Sequence, residues 1–323
     1  MAVYTEVSDD ELAELIAKYA IGEVVSFKGI AEGVENTNYL VVTTGGRFIL
    51  TLYEKRVATA DLPYFLGLME HLARRGISCP TPVHDQSGAT LTEVQGRSAA
   101  LVTFLDGISL GRPGPEHCRA VGETLARLHI AGQDYAGQRR NALGHDGWRP
   151  LFEKFATRAD EITTGLRDLI SGELDGLDRA WPAGLPSGVI HADLFPDNVF
   201  FLDGRLSGLI DFYFACNDWL AYDLAVCLSA WGFNSDHTYN RAKGGALIDG
   251  YQAVRPLEAR ERTALPILAR GAALRFLLTR SFDWLNRPIN ALVKPHDPMD
   301  YVARLKFHQS VRSIADYGVE ASS

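Results

Sequence analysis

The sequence predicts an α+β protein of two lobes, a small β-rich N-terminal lobe and a larger, mainly helical C-terminal lobe. Up to about residue 105, short β-rich runs surround one long helical stretch, whereas helical periodicity dominates beyond about residue 115. Between the two, glycine and proline crowd together at Gly107, Gly111, Pro113 and Gly114, as is typical of a connection between domains. We therefore predict an N-terminal domain at residues 1–105 and a C-terminal domain at residues 106–323.

The N-terminal elements follow from local signals. Ser8 and Glu11 form a capping box that opens a short helix. β-Rich runs follow at residues 24–27, 39–43 and 48–53, and Gly45-Gly46 turns the last two into a hairpin. Apolar residues at helical spacing predict a helix over residues 62–72, which Gly76 ends. Two more strands are expected around residue 91 and at residues 99–105.

In the C-terminal domain, helical spacing predicts five helices, at residues 115–131, 151–170, 220–231, 263–285 and 301–317. One β-rich island, residues 189–214, lies between the second and the third. No repeat or long linker interrupts this order.

Composition excludes several classes of protein. Hydrophobic residues make up 46% of the 323 residues and charged residues 22%, as in ordinary globular proteins, which argues against disorder and coiled coil. A net charge of −8 disfavours nucleic acid or an anionic membrane as partner. The four cysteines are too few for a disulfide framework. An acidic N-terminus, with no apolar run of about 20 residues, leads us to expect a soluble cytoplasmic protein.

The β-rich island carries the chemistry. Asp203-Gly204 between two apolar runs is a strong signal for a two-residue hairpin. In the register this turn sets, Asn198 faces Leu209, and Asp211 lies two residues beyond on the same face. An amide oxygen and a carboxylate would then surround one small space, which suits a hard cation such as Mg²⁺.

Asp193 precedes Asn198 by five residues, within the sequence HADLFPDN at residues 191–198. H-x-D-x-x-x-x-N followed by an aspartate after the next strand is the pattern of the protein-kinase catalytic loop. There Asp193 would orient an acceptor hydroxyl and take its proton, while Asn198 and Asp211 would hold Mg²⁺ against phosphate oxygens. The alternative is that these side chains only form turns and caps.

These motifs, with the sequences ENTNY at residues 35–39 and GAALRFLLTR at residues 271–280, resemble a known family. It is the group of small-molecule kinases related to aminoglycoside phosphotransferases and choline kinases, and within it the bacterial homoserine kinases of the kinase-like type. The resemblance implies a bilobal protein-kinase-like fold that uses ATP and Mg²⁺. It also implies that Asp223 holds the catalytic loop, with His191 as a further supporting residue.

For the nucleotide, the resemblance implies contacts from Asn36, Thr37 and Asn38, and from the backbone near Phe104 and Leu105. Neither the glycine-rich loop of protein kinases nor a P-loop motif is present. The family's phosphate-binding Lys or Arg is also missing, since its position holds a threonine. Four other basic residues are available as substitutes, or Mg²⁺ must neutralise more of the charge. The threonine is Thr51, and the substitutes are Lys28, Arg47, Lys55 and Arg56.

Arginines in a mostly apolar helical stretch indicate which alcohol is the acceptor. A guanidinium matches a carboxylate, and a buried arginine needs such a partner, so Arg275 and Arg280 are candidates for the carboxylate of an amino-acid substrate. The rival explanation for Arg280 is an internal contact with Asp283 or Trp284. We expect ATP-dependent phosphorylation of the homoserine hydroxyl. The alternatives are a kinase for choline, ethanolamine, an aminoglycoside or a sugar derivative, and a non-catalytic nucleotide-binding regulator.

Overall fold

The computed structural model describes residues 5–30, 36–54, 57–287 and 295–319. It contains one five-stranded antiparallel sheet and a mostly helical remainder, so the predicted α+β fold class is confirmed. By its internal contacts the chain forms two compact units. Unit 1 consists of residues 1–107, 135–139 and 207–213, and unit 2 of residues 108–134, 140–206 and 214–323.

Unit 1 is built on the five-stranded sheet, whose strand order is β1-β2-β3-β5-β4. The strands are β1 (Val24–Ile30), β2 (Asn36–Thr43), β3 (Gly46–Tyr53), β4 (Thr92–Val94) and β5 (Arg97–Thr103). Thr43 pairs with Gly46, so the hairpin predicted at this turn is confirmed. The Gly46 φ of +149° is easily adopted only by a residue without a side chain.

Two helices pack in unit 1, α1 (Asp9–Ile16) and α2 (Leu62–Arg74). The predicted capping box is present, because the Ser8 side chain accepts from the Glu11 amide while the Glu11 carboxylate accepts from the Ser8 amide. α1 adds its apolar face to the core with β2 and β3. Gly76, at φ +84°, ends the chain's helical path after α2, as the sequence predicts.

Unit 2 contains seven of the helices that the structure describes. They are α3 (Pro115–Ala131), α4 (His145–Glu153), α5 (Leu166–Ala180), α6 (Leu220–Trp231), α7 (Arg241–Val254), α8 (Ala259–Leu285) and α9 (Met299–Ser310). Within the described ranges, no helix combines the length and apolarity needed to cross a membrane.

The helix α7 was not predicted from the sequence. Its glycines, and one in α3, allow the two helices to pack closely. A Cβ built on Gly250 would lie 2.2 Å from the carbonyl oxygen of Arg119, and one on Gly122 would lie 2.0 Å from that of Leu247. α3 and α7 therefore approach at a distance that larger residues would prevent.

Two predicted helices were too long. Residues 151–170 were predicted as one helix. In the structure α4 ends at Glu153, a 3₁₀ turn follows, and α5 begins after Gly165, whose φ is +83°. The stretch at residues 301–317 likewise ends α9 at Ser310, before a second 3₁₀ turn. Buried side chains in these turns, such as Phe155 and Tyr317, extended the apolar spacing past the true helix ends.

The predicted β-rich island contains two small pairings. β6 (Ser187–Ile190) pairs antiparallel with β9 (Cys216–Trp219), a strand beyond the predicted end of the island. β7 (Val199–Leu202) and β8 (Arg205–Leu209) form a two-stranded sheet. Asp203 and Gly204 join them at φ +50° and +75°, the signs of the tight hairpin turn that the sequence predicts. The position of Asn198 opposite Leu209 remains a prediction.

All four cysteines are buried free thiols, in line with the expectation from composition. Burial raises the pKa of the Cys79 and Cys118 thiols to about 12. These groups therefore stay protonated and unreactive at neutral pH.

Candidate active site

The sequence HADLFPDN forms a loop between β6 and β7, which we call the catalytic loop (residues 191–198). Its first residue, His191, is fully buried, and its last three form a 3₁₀ turn. Ala192 is buried and has a φ of +64°, in the left-handed region that costs a residue with a Cβ about 1–2 kcal/mol. Such a conformation persists only where the surroundings hold it.

Two side chains hold the backbone at Ala192 from opposite ends. The Asp223 carboxylate, in the first turn of α6, accepts from the amides of His191 at 2.7 Å and Ala192 at 2.8 Å. On the other side, the Arg275 guanidinium of α8 donates to the Ala192 carbonyl oxygen. Both side chains are buried. Together they account for the left-handed backbone immediately before Asp193.

The position of the Asp223 carboxylate is in turn fixed by His129. The Nε2 of His129, on α3, lies 3.1 Å from Asp223 Oδ2. Burial raises the pKa of Asp223, but the hydrogen bond and charge of His129, followed by the charge and backbone amide of His191, outweigh burial and lower it overall. The carboxylate is therefore ionised at neutral pH and able to accept from all its donors.

Arg275, a candidate for substrate binding in the sequence analysis, lies behind the catalytic loop. Its side chain is 2% exposed, and its Nη2 is 3.8 Å from Oδ1 of Asp193. The guanidinium carbon lies 4.4 Å from the centre of the Phe276 ring. In this position the cation faces the carboxylate of Asp193 across a short distance, with its other contacts made to backbone and aromatic groups.

Asp193 and Asn198, the two polar side chains of the loop predicted to act together, are in contact. Asn198 Nδ2 donates to the Asp193 carbonyl oxygen at 2.8 Å and lies 3.4 Å from its carboxylate. With the amide nitrogen so engaged, Oδ1 is the atom of Asn198 available to a cation. The Asp193 side chain is 18% exposed, so it remains accessible.

Asp211 belongs to unit 1, just beyond β8, and has a φ of +62°. It lies beside two tyrosines whose hydroxyls are 3.1 Å apart, Tyr53 and Tyr213. Burial raises the pKa of both, to about 12 for Tyr213, and the negative charge of Asp211 raises them further. The proximity of Asp211 to Asn198 remains a prediction.

The residues expected to bind the nucleotide lie on β2 in unit 1 and form hydrogen bonds with β3 and with Glu54, the residue after it. Thr37 donates to the Glu54 carboxylate at 2.9 Å, and the Glu54 amide donates to Asn36 at 3.4 Å. Thr51, at the position of the missing basic residue, is 3% exposed and donates to Asn38 at 2.8 Å. A hydroxyl–amide hydrogen bond thus occupies a position where the family pattern has a cation.

The basic residues considered as substitutes differ in their surroundings. Arg47 pairs with Asp106 at 2.8 Å and stacks on the ring of Phe104 at 4.5 Å, next to Leu105. Lys28 is exposed on β1. The other two, Lys55 and Arg56, lie outside the described residues. Arg47 is therefore already paired with a carboxylate of its own unit.

Arg280, the other candidate for substrate binding, donates to Asp300 of α9 at 3.0 Å. Its guanidinium lies 4.6 Å from the centre of the Tyr301 ring. A second guanidinium, that of Arg304, lies at the same 4.6 Å from this ring and donates to the Ser229 carbonyl oxygen at 2.7 Å. No carboxylate of the described residues pairs with Arg304, and its Nε is buried without a hydrogen bond there.

Sequence reasoning missed three residues around the loop. His129 supports Asp223, Arg304 flanks Tyr301, and Trp231 donates from Nε1 to the Leu194 carbonyl oxygen at 2.8 Å. The partners of His129 and Trp231 lie 94 and 37 residues away in sequence, so spacing gives no signal for either. Arg304 lies in the helix predicted at residues 301–317 and follows Asp300, the residue just before that helix, by four positions, which is only a weak signal.

Comparison with known proteins identifies the family. The model of the phosphotransferase enzyme family matches residues 26–257. A homoserine kinase of Xanthobacter autotrophicus is 61% identical over 321 residues, which cover 99% of this chain and 100% of that protein. One of Rhodopseudomonas palustris is 59% identical and covers 99% of this chain and 98% of that protein. The resemblance seen in the sequence is therefore confirmed.

Solved structures agree on the fold. An amicoumacin kinase superposes with a TM-score of 0.69 at 14% identity, covering 95% of each chain. A choline kinase of Cryptosporidium parvum superposes with a TM-score of 0.67 at 14% identity, covering 94% of each. At this identity they show a shared protein-kinase-like fold. With the family match over most of its length, the chain belongs to the phosphotransferase enzyme family.

Proposed function

We propose that this protein is a homoserine kinase, which transfers the γ-phosphoryl group of ATP to the hydroxyl of L-homoserine. The product is O-phospho-L-homoserine, used in threonine biosynthesis. The observation that carries the proposal is 61% identity along the whole length of a protein of that name. The catalytic loop supports phosphotransfer, because an accessible carboxylate and an amide oxygen lie together on a backbone that buried groups hold rigid.

In this reaction Asp193 is the group that orients the nucleophile. Its carboxylate accepts the proton of the homoserine hydroxyl as the hydroxyl oxygen bonds to the γ-phosphorus and the bond to the ADP oxygen breaks. Arg275, 3.8 Å away, balances the charge of this carboxylate without blocking it. Catalysis then consists mainly of positioning, supplied by the contacts of Asp223 and Arg275 to the loop backbone.

Asn198 and Asp211 are the residues we propose to hold Mg²⁺. The donor set fits a hard cation, because one carboxylate and one amide oxygen leave room for water and phosphate oxygens. Asn198 supports this choice, since its Nδ2 is bonded to Asp193 and its Oδ1 is left to bind. When bound, the metal offsets the negative charge of the phosphates. The absence of a cation at Thr51 makes that contribution larger.

Substitution of either proposed ligand should therefore weaken the response to magnesium. We expect Asn198→Ala and Asp211→Ala each to raise the free Mg²⁺ concentration that gives half-maximal velocity by about tenfold or more. Initial rates at saturating ATP across a magnesium titration measure this. Asp197→Ala, which removes an exposed carboxylate next to Asn198, is the matched control. An unchanged titration for both ligand variants would exclude this assignment.

For the nucleotide, we propose that the N-terminal domain binds ATP through Asn36, Thr37 and Asn38 and through the backbone near Phe104 and Leu105. The side chains on β2 are already ordered by hydrogen bonds to β3 and to Glu54, so little conformational freedom is lost on binding. Their backbone and side-chain groups would meet phosphate oxygens in place of a glycine-rich loop.

The homoserine carboxylate requires a cation, and we propose Arg280 and Arg304. Both guanidinium groups flank the Tyr301 ring. Burial raises the pKa of this tyrosine, the charges of Arg304 and Arg280 oppose that rise, and the charge of Asp193 adds to it. The ring thus lies within electrostatic reach of the proposed catalytic carboxylate. Arg304 carries the larger share, because Arg280 already has Asp300 as its partner.

Arg304→Gln should therefore impair recognition of the carboxylate specifically. We expect kcat/KM for L-homoserine to fall about 10- to 100-fold, the range for one lost charge-assisted hydrogen bond. The matched substrate is 3-amino-1-propanol, which is homoserine without its carboxylate. Its kcat/KM should change less than twofold in the same variant. Equal losses on both substrates would mean that Arg304 serves only to stabilise the end of α6, where it contacts Ser229.

The proposed function is tested by an ADP-release assay with Mg-ATP and a panel of acceptors. The panel contains L-homoserine, L-serine, choline, ethanolamine and an aminoglycoside. We expect turnover with L-homoserine only, with phosphate found on its hydroxyl oxygen. Turnover with another acceptor alone would establish a sister kinase instead. A rise in melting temperature with ATP but no turnover on any acceptor would favour the nucleotide-binding regulator.

A further inference from the structure

Asp211, proposed above as a metal ligand, lies midway between two points at which its segment is attached to the rest of unit 1. Two residues before it, the Leu209 amide donates to the Ser78 carbonyl oxygen at 2.9 Å. Two residues after it, the Tyr213 hydroxyl lies 3.1 Å from the hydroxyl of Tyr53, on β3. Contacts that fix both points therefore restrict the position of Asp211 between them.

The Tyr213 side chain is held through its ring and through its hydroxyl. The ring lies edge-to-face against the rings of Tyr53 and Phe65, with centres 5.3 and 5.7 Å away. Besides its contact with Tyr53, the hydroxyl is hydrogen-bonded to the side chain of Thr51, also on β3. A phenol hydroxyl can donate one hydrogen bond and accept another, so both contacts can form together.

The backbone at Asp211 needs such support. Its φ of +62° is unfavourable for a residue with a Cβ and persists only where the surroundings hold it. The next residue, Phe212, is 1% exposed, but the hydrophobic effect that buries its ring is not directional. Hydrogen bonds do depend on angle, so the contacts of the Tyr213 hydroxyl limit rotation of the segment in a way that burial of Phe212 does not.

The same hydrogen bonds continue from β3 to β2. The Thr51 hydroxyl donates to Asn38 at 2.8 Å, and Asn38 is one of the residues proposed to meet the phosphates of ATP. Thr51 also occupies the position that holds a basic residue in the family. Within unit 1, neutral hydrogen-bonded groups thus connect the segment of Asp211 to the proposed phosphate-binding strand, at the place where a cation is missing.

We infer that Tyr213 is a positioning residue for metal binding, whose hydroxyl, held by Tyr53 and Thr51, keeps Asp211 aligned with the strand that carries Asn38. The inference rests on the proposed role of Asp211 as a Mg²⁺ ligand. It does not depend on which alcohol accepts the phosphoryl group, because binding of metal and nucleotide can be measured without an acceptor.

The test compares Tyr213→Phe, Tyr53→Phe and the double variant Tyr53→Phe/Tyr213→Phe, with Asp211→Ala as the reference for loss of the ligand. Electron paramagnetic resonance measures the affinity of each for the Mn²⁺–ADP complex, with Mn²⁺ as a paramagnetic substitute for Mg²⁺. We expect this affinity to fall about tenfold in Tyr213→Phe and about threefold in Tyr53→Phe, where the contact between Tyr213 and Thr51 remains. The affinity for metal-free ADP should change by less than about twofold in both, because the bond between Thr51 and Asn38 is kept.

The double variant shows whether Tyr53 acts through Tyr213, in which case its affinity for Mn²⁺–ADP should equal that of Tyr213→Phe. Tyr39→Phe is the matched control, because Tyr39 is a buried tyrosine of the same sheet. Its hydroxyl donates to the Thr5 carbonyl oxygen at 2.8 Å and accepts from the Val7 amide at 3.2 Å. Tyr39→Phe should lower the melting temperature as Tyr213→Phe does, but leave the affinity for Mn²⁺–ADP within about twofold of the wild type.

Three results would overturn the inference. The first is an unchanged affinity for Mn²⁺–ADP in Tyr213→Phe, and the second is an equal loss in Tyr39→Phe, which would reflect stability alone. The third is an unchanged affinity in Asp211→Ala, because Asp211 would then not bind the metal. If the wild type binds Mn²⁺–ADP but does not phosphorylate homoserine, the proposed substrate fails, while the binding series still decides the role of Tyr213.

Discussion

Asp193→Asn is expected to lower kcat about 1000-fold, within the range of the contribution of a positioned general base. Asparagine keeps the size of the side chain and its place in the loop, but it cannot take the proton of the acceptor hydroxyl. The melting temperature and KM for ATP should change little, because the loop backbone is held by Asp223 and Arg275. Single-turnover rates of phosphohomoserine formation measure the loss.

The control for this variant is Asp197→Asn in the same loop, which removes an exposed carboxylate that makes no part of the proposed machinery. Its kcat should stay within twofold of the wild type. If Asp193→Asn turned over at a comparable rate, Asp193 would have no role in proton transfer and the proposed mechanism would fail.

Asp223→Ala should have the largest effect on stability. The substitution leaves two backbone amides and the His129 ring without an acceptor in a fully buried site, and the free energy of unfolding should fall by about 3–5 kcal/mol. Urea titration at pH 7 measures this. Turnover should fall with it even where the variant remains folded, since Ala192 loses the support of its amide.

Asp316→Ala is the matched control for burial. The Asp316 carboxylate also accepts from two backbone amides, those of Arg312 and Ser313, but in an exposed turn. A much smaller loss of stability is expected. If both variants lost the same free energy, burial would not explain the role of Asp223.

The pH dependence of the Asp223 contribution has a definite sign. Folding lowers the pKa of this carboxyl below its ordinary value of 3.8, despite the opposing effect of burial. The stabilisation is therefore complete above pH 3.8 and is lost as the pH falls towards the lower folded-state pKa. The difference in unfolding free energy between wild type and Asp223→Ala should narrow below about pH 4.

Local signals in the sequence predicted much of the fold. The Ser8–Glu11 capping box, the hairpin ending at Gly46 and the Asp203-Gly204 turn all depend on residues within a few positions of each other. The HADLFPDN motif identified the catalytic loop for a similar reason, because its spacing is compact. The proximity of Asp193 and Asn198 could be read from these eight residues.

Long-range features could not be predicted in this way. Helix α7 was not predicted, and only the packed structure shows α3 lying against its glycines. Arg275 and Arg280 looked equivalent in an apolar helix, yet one contacts the loop backbone and the other contacts Asp300. The hydrogen bonds from His129 to Asp223 and from the His191 amide to Asp223 join three separate parts of the chain, and no periodicity or motif encodes such a meeting.

The left-handed backbone of Ala192 also limits how this enzyme can evolve. β-Branched or bulky residues tolerate positive φ poorly, and the site is 1% exposed, so larger side chains would not fit. Glycine would relieve the torsional cost. It would also give the loop access to more backbone conformations whenever the hydrogen bonds to Asp223 or Arg275 break. Substitutions at position 192 are thus confined to the smallest residues. Alanine combines a small volume with a backbone that is more restricted than that of glycine.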